Sequence, residues 1–197
     1  VESYGGGVCQ VSTTLYNAVI LAELEITQRS NHSMIVSYVK PSMDAAIAGD
    51  YKDLRFVNNQ DIPIYIEGYT EGKNVTFKIY GHDTRPSNRV VTYESEVVSE
   101  QDPGTQYVAT GDPAGYMKTA QGKHIGYVAR LWKVVTVDGV EESREIFNKS
   151  TYKASPKIVN VGTASADPNV SAVIGAAPVL MAGLPPPQEA VVPRKKF

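Results

Sequence analysis

The sequence predicts an α+β protein in which an N-terminal helix packs on antiparallel strands and a small, elongated all-β module follows. Apolar residues recur at helical spacing directly after GGGVC, and runs such as NVTFKIYG alternate at strand spacing. From Arg89 onward, β-type runs are separated by glycine turns. We place the first domain at 1–84, the β module at 88–163 and a disordered Ala/Pro-rich tail at 164–197.

Composition limits the classes of function. A chain of 197 residues, 42% of them hydrophobic, has room for one large domain or two small ones. The net charge of −2 and the pI near 6.0 argue against a nucleic-acid partner. One cysteine excludes an internal disulfide framework and a cysteine-based zinc cage, and we expect neither a metal nor a cofactor. Because the chain starts on VESYGGG without a methionine, we expect an N-terminally truncated segment of a longer protein.

The helix should run from about Gln10 to about Leu24. Its predicted apolar face consists of Val11, Leu15, Ala18, Val19 and Ala22. Ser12 and Thr13 fall outside this face, and their hydroxyls are expected to cap the first turn.

Strands should follow the helix at MIVSYV (34–39), within LRFVNNQDIPIYI (54–66) and at NVTFKIYG (74–81). NNQD and EGKN are predicted to be hairpin turns, and the domain boundary should lie between about His82 and Asn88. In the β module, Asp138-Gly139 between WKVVTV and VEESREI predicts a two-residue hairpin.

Cys9 is the first candidate for chemistry. It follows Gly5, Gly6 and Gly7 at the start of the predicted helix, where unpaired N–H groups and the helix dipole lower the pKa of a thiol. Glycines let a substrate approach the backbone, so the loop of Gly5, Gly6 and Gly7 with the N–H of Cys9 is the candidate oxyanion site. The alternative is a small buried hydrophobic cysteine after a tight turn.

A thiolate that performs acyl transfer needs a base, and His32 and His82 are the candidates. His32 reaches Cys9 only if the chain doubles back directly after Leu24, whereas strand order sets no such limit on His82. Asp44 is a candidate for orienting the imidazole. A purely structural role is the alternative for each of these residues.

Three stretches resemble the VanW-like domain of bacterial envelope proteins over residues 2 to about 82: GGGVCQVSTTLYNAVILAELEI, RSNHSMIVSYVKPSMDAAI and DLRFVNNQDIPIYI. The resemblance implies a cysteine peptidoglycan L,D-transpeptidase, which forms a thioester with a tripeptide donor and transfers the acyl group to a side-chain amine. Cys9 falls on the cysteine of the family, His32 on its His-Ser motif and Asp44 on its Asp-Ala motif. The family pattern extends upstream of the glycines, so we expect part of the fold to be missing and the segment to be inactive alone.

The second region resembles the G-five domain of bacterial surface proteins over about 88–163, with its glycines at Gly122, Gly126, Gly139 and Gly162. The resemblance implies wall association and binding of N-acetylglucosamine, with zinc-assisted self-association in some members. Hairpin turns by themselves would also explain these glycines. Tyr127 and Trp132 are the aromatic residues that could stack on a sugar.

Two functions follow from these resemblances. The first is a cysteine acyl-transferase that cross-links peptidoglycan stem peptides, located outside the cell and anchored to the wall or membrane by the missing upstream part. The second is a non-catalytic surface module that binds peptidoglycan or an aminosugar. An exposed, ionised Cys9 beside an imidazole favours the first function, and a buried, neutral Cys9 favours the second.

Overall fold

The computed structural model describes residues 6–164 and confirms an α+β fold with one N-terminal helix and mostly antiparallel strands. The predicted disordered tail and Gly5 lie outside the described residues. The elements, in chain order, are α1 (Val8–Leu21), β1 (Glu25–Gln28), β2 (Arg55–Val57), β3 (Tyr65–Glu71), β4 (Asn74–Tyr80), β5 (Arg89–Gln101), β6 (Thr105–Pro113), β7 (Met117–Gln121), β8 (Gly126–Val137), β9 (Val140–Tyr152) and β10 (Lys157–Ala164).

The described residues form two compact units. The first contains 6–101 and 125–154, and the second contains 102–124 and 155–164. Strands β5, β8 and β9 therefore cluster with the helix and with β1 to β4. The predicted domain limits of 1–84 and 88–163 stay a prediction.

The fully buried face of helix α1 differs from the predicted apolar face except at Val19. Its buried residues are Ser12, Thr13, Tyr16, Val19 and Ile20, whereas Val11 is 41% exposed. The prediction of the face was wrong because buried Ser and Thr hydroxyls here find backbone partners, which removes the cost of their burial. Tyr16 and Ile20 form the core of the first unit with Ala45 and Leu131.

Two small antiparallel sheets accompany the helix. Strand β1 pairs with β2, and β3 pairs with β4 through the predicted EGKN turn, which is confirmed. NNQD is not a hairpin turn, because β2 pairs with β1 and not with β3. MIVSYV is not a strand either: it forms bends, and its Tyr38 makes a side-chain contact with His32 in place of a backbone ladder.

The main sheet of the first unit is antiparallel, in the order β5-β8-β9. Asp138-Gly139 joins β8 to β9 as predicted, with both residues at positive φ (52° and 80°). Both central residues of a type I′ turn need this left-handed conformation, which Gly adopts without strain. Leu131 of β8 packs against the helix core, so the sheet lies against α1.

The second unit is a three-stranded sheet in the order β6-β10-β7. Strand β10 runs parallel to β6, a pairing that sequence patterns did not predict. A Cβ at Gly162 would overlap the carbonyl oxygen of Pro113, so this glycine allows a close backbone approach. Hairpin turns therefore do not account for all the glycines of the β module.

Candidate functional site

Cys9 is the second residue of α1, as the sequence predicts, and Gly7 is the residue before the helix. The N–H groups of Gln10 and Val11 already bond the carbonyl of Gly7, at 3.1 and 3.0 Å. The thiol is half-buried and donates to the carbonyl oxygen of Ile47 over 3.4 Å. Cys9 is therefore neither the fully buried cysteine nor the freely exposed one that the sequence left as alternatives.

Polar side chains of α1 hold the segment that carries Asp44. Ser12 and Thr13 both donate to the carbonyl of Ala45, at 2.5 and 3.2 Å, and the Ala45 N–H donates back to Thr13 Oγ1 over 3.0 Å. Asn17 donates to the carbonyl of Met43 over 2.8 Å. The prediction that Ser12 and Thr13 cap the helix was wrong, because their hydroxyls bind this segment and make no hydrogen bond with the N–H groups of the first turn.

His32 and Asp44 form a directly bonded pair. The ring Nδ1 of His32 lies 2.7 Å from Asp44 Oδ2, and the His32 backbone N–H donates to the same oxygen over 2.7 Å. Since a carboxylate only accepts hydrogen bonds, Nδ1 carries the proton and Nε2 of a neutral ring keeps its lone pair. The chain returns towards the start of the helix after β1, since His32 bonds Asp44 and the adjacent Ala45 accepts from Ser12 and Thr13.

The other oxygen of Asp44 is also occupied. Oδ1 accepts from Arg29 Nη2 over 2.8 Å and from the Tyr152 hydroxyl over 2.5 Å, and the carboxylate is fully buried. Burial opposes ionisation, but the hydrogen bonds from His32 and Tyr152 and the charge of Arg29 outweigh it, so the pKa of Asp44 lies below its usual value. Asp44 is therefore a fixed anion behind the imidazole.

Tyr38 covers the other side of the imidazole. Its hydroxyl lies 3.3 Å from His32 Nε2, and the two rings meet edge to face with centroids 6.1 Å apart. Burial raises the pKa of Tyr38, a hydrogen bond with Thr13 lowers it, and the nearby Cys9 raises it. The phenol thus lies among His32, Thr13 and Cys9. Within residues 6–164, Cys9 Sγ makes no hydrogen bond to His32.

His82 lies at the opposite end of the helix from Cys9. It lines a cavity of about 450 Å³ with Ala22, Glu23 and Leu24, which follow the last turn of α1. A 14-residue helix is about 20 Å long, so His82 is far from the thiol. In that cavity, hydrogen bonds from Arg89, opposed by burial and helped by Lys133, lower the pKa of Glu23 to about 2.

An open groove of about 520 Å³ runs beside the start of α1. It is lined by Gly6, Gly7, Val8, Val11, Ser12, Leu15, Ile47 and Leu54. Cys9 is not one of the lining residues, but Ile47, whose carbonyl accepts from the thiol, is. Gly6 and Gly7 of the predicted substrate loop line it directly.

The two candidate sugar-stacking aromatics are half-buried. Trp132 donates from Nε1 to Glu96 over 2.5 Å, and the Arg130 guanidinium lies 4.6 Å from its ring centroid. One face of the indole is therefore already covered.

Sequence reasoning missed Arg29, Tyr38 and Tyr152. The position of Arg29, three residues before His32, was the local signal that could have indicated its role. No local signal indicated Tyr152, because it is separated from Asp44 by more than a hundred residues. Within residues 6–164, no group of three or more His, Cys, Asp or Glu side chains is arranged to hold a metal.

Comparison with known proteins agrees with the two regions. Residues 1–80 match the family model described as VanW like protein, and residues 89–164 match the G5 domain model. The chain carries a VanW-like domain followed by a G5 domain. The VanW-like domain is similar to the uncharacterized protein YoaR of Bacillus subtilis (strain 168), at 43% identity over 82 residues. That match covers 42% of this chain and 27% of YoaR, so the chain spans about a quarter of this relative.

Two solved structures whose titles name a G5 domain match part of this chain. The structure titled IgA1 Protease G5 domain is 28% identical, covering 39% of this chain and 94% of that one with a TM-score of 0.30. The structure titled HP0197-G5 is 14% identical, covering 39% and 100%, with a TM-score of 0.24.

The combination of a VanW-like and a G5 domain is that of a cell-wall-associated, cell-surface protein, in which G5 is a surface or binding module. No helix among residues 6–164 has the length and apolar character needed to cross a membrane.

Proposed function

We propose that this chain carries the acyl-transfer site of a cell-wall enzyme that forms L,D cross-links in peptidoglycan. Cys9 is the nucleophile, and His32 is the base. Asp44 orients the imidazole and stabilises its charged form. The observation that carries the proposal is the His32–Asp44 pair, whose side chains lie 2.7 Å apart. Asp44 is three residues before Ile47, whose carbonyl oxygen accepts the hydrogen bond of the Cys9 thiol. A nucleophile, a base and a carboxylate that orients the base are the three groups that acyl transfer by a thiol uses, and the His32–Asp44 pair supports the assignment of the last two.

In the first step the Cys9 thiol gives its proton to His32 Nε2, and the sulfur attacks a peptide carbonyl of the donor stem. The C–N bond breaks, the departing amine takes the proton from His32, and a thioester remains. In the second step a side-chain amine attacks the thioester carbonyl, the C–S bond breaks, and the proton of that amine returns to the sulfur through His32. The backbone N–H groups at Gly7 to Cys9 face the oxyanion.

Asp44 supports both steps without accepting the proton. Its buried carboxylate holds Nδ1–H, leaves Nε2 free to act as base, and stabilises the imidazolium that forms transiently within each step. The groove lined by Gly6, Val8, Val11 and Ile47 is where an acyl donor would reach the sulfur.

Intact-protein mass spectrometry tests this proposal on the full-length protein incubated with a disaccharide-tetrapeptide. We expect a covalent adduct of the donor minus its terminal residue on wild-type protein and on the His82→Gln control, and none on Cys9→Ala. Absence of an adduct on folded, full-length protein under single-turnover conditions would overturn it.

A second candidate is non-catalytic binding of peptidoglycan or an aminosugar such as N-acetylglucosamine. It is favoured by the hydrogen bond of the thiol to Ile47, which engages the S–H as a donor. In this case Cys9→Ala binds purified cell walls as wild type does, and no adduct forms on either protein.

A further inference from the structure

The fully buried carboxylate of Asp44 accepts hydrogen bonds from residues of both domains. Arg29 and His32 belong to the VanW-like domain, whereas Tyr152 ends strand β9 of the G5 domain. The Tyr152 side chain is almost completely buried and bonds Asp44 Oδ1 over 2.5 Å. A long-range contact thus reaches the one carboxylate behind the candidate base.

Strand β9 contributes further contacts to the same place. The Tyr152 hydroxyl accepts the backbone N–H of Ser42 over 2.8 Å, two residues before Asp44. Ser150 accepts from Arg29 Nη1 over 2.9 Å, so the guanidinium bridges Asp44 and β9. Asn148 donates to the carbonyl of Ser42 over 3.1 Å. Alternate residues of one strand, all on one face, therefore hold the Asp44 segment.

We propose that the G5 domain completes the candidate active site, with Tyr152 as a positioning residue that sets Asp44, and through it the tautomer and orientation of His32. The role of His32 as base rests on the proposed function above, whereas the placement of Asp44 by Tyr152 does not. A hydroxyl that donates to one carboxylate oxygen and accepts the neighbouring Ser42 N–H fixes both the rotation of the carboxylate and the backbone that carries it.

The test compares Tyr152→Phe with Tyr93→Phe in the 197-residue chain. Tyr93 is a matched control, because its hydroxyl also donates from the same sheet, to the carbonyl of Ile20 over 2.9 Å, without touching Asp44. Two readouts are taken at pH 7: the ¹⁵N chemical shifts of the His32 ring, assigned with a His32→Gln variant, and the rate of Cys9 alkylation by iodoacetamide.

In wild type and in Tyr93→Phe we expect His32 to be held as the Nδ1–H tautomer. In Tyr152→Phe we expect a mixture of tautomers and an alkylation rate lower by roughly fivefold, the equivalent of one net hydrogen bond. Wild-type behaviour of Tyr152→Phe would overturn the proposal, because Tyr152 would then have no effect on His32. An equal change in both variants would also overturn it, because the change would then reflect a general loss of stability.

If Tyr152→Phe does not fold, Ser150→Ala tests the wider claim that β9 positions Asp44, because it removes the contact of β9 with Arg29, which bonds the same carboxylate oxygen as Tyr152. Wild-type ring shifts in Ser150→Ala would overturn that claim. The ring shifts need no substrate. A change of tautomer without any acyl adduct on the full-length protein would therefore support the positioning role of Tyr152 while overturning the proposed function.

Discussion

Thr13 and Ala45 exchange two hydrogen bonds, one through the Ala45 N–H at 3.0 Å and one to its carbonyl at 3.2 Å. One buried threonine therefore satisfies both backbone groups of the residue that follows Asp44. The contact joins the segment that carries Asp44 to helix α1, which carries Cys9. It therefore fixes the spacing between Asp44 and Cys9 in the candidate site.

Thr13→Val should lower the free energy of unfolding by about 1–3 kcal/mol, because it keeps the shape but leaves the buried N–H of Ala45 without a partner. Thr14→Val is the matched control: the Thr14 hydroxyl only bonds the carbonyl of Gln10 in its own helix, and the change should stay within about 0.5 kcal/mol. Urea denaturation measures both. Equal losses in the two variants would show that the contact has no special role.

Asp44→Asn should be strongly destabilising at neutral pH, by about 3–5 kcal/mol, because it leaves the Arg29 guanidinium buried without its counter-ion. The pKa of Asp44 is lowered in the folded protein, so its ionisation stabilises the fold above the unfolded-state value near 3.8 and this contribution is lost as pH falls further. The difference between wild type and variant should therefore shrink below about pH 4. A difference independent of pH from 7 to 2.5 would contradict this interpretation.

Glu23→Gln should lower stability by up to about 3 kcal/mol near neutral pH, since a pKa of about 2 against the usual 4.5 corresponds to that energy. The hydrogen bonds from Arg89 are the first cause of the shift, and Lys133 adds to it. The contribution is complete above pH 4.5 and disappears as pH falls towards 2. Glu96→Gln, which breaks an exposed pair with Arg130, should cost less. Thermal unfolding between pH 7 and pH 2 checks both variants.

Tyr38→Phe should raise the rate of Cys9 alkylation on the order of fivefold, because the phenol occupies the Nε2 lone pair that must accept the thiol proton. Because Tyr38 is 44% exposed, the loss of its hydroxyl, which contacts His32 and Thr13, should leave the free energy of unfolding within about 1 kcal/mol of wild type. Kinetics with iodoacetamide at pH 7 measure the effect. A slower reaction would show instead that Tyr38 relays the proton.

Local features were predictable from the sequence. The start of α1 near Cys9 follows from the glycines and the helical spacing, and the hairpin at Asp138-Gly139 follows from its turn residues. His32 and Asp44 were named from the sequence, although the contact between them depends on a loop whose strand prediction, MIVSYV, was wrong.

The remaining parts depend on contacts distant in sequence. Patterns of polarity place Thr13 on a solvent face, and only the backbone of Ala45 explains why it is buried. In the sequence Tyr152 has no feature that distinguishes it from other aromatic residues of strands, and only its contact with Asp44 indicates its role. The parallel pairing of β10 with β6 likewise joins strands far apart in the chain, for which alternation gives no signal.

The most direct measurement of the central claim is the second-order rate of Cys9 alkylation at pH 7 in His32→Ala, with His82→Ala as the control. If His32 is the base for Cys9, its loss lowers the thiolate fraction and the rate should fall at least about tenfold, while His82→Ala reacts as wild type does. A His32→Ala protein that remains folded and alkylates at the wild-type rate would contradict the claim.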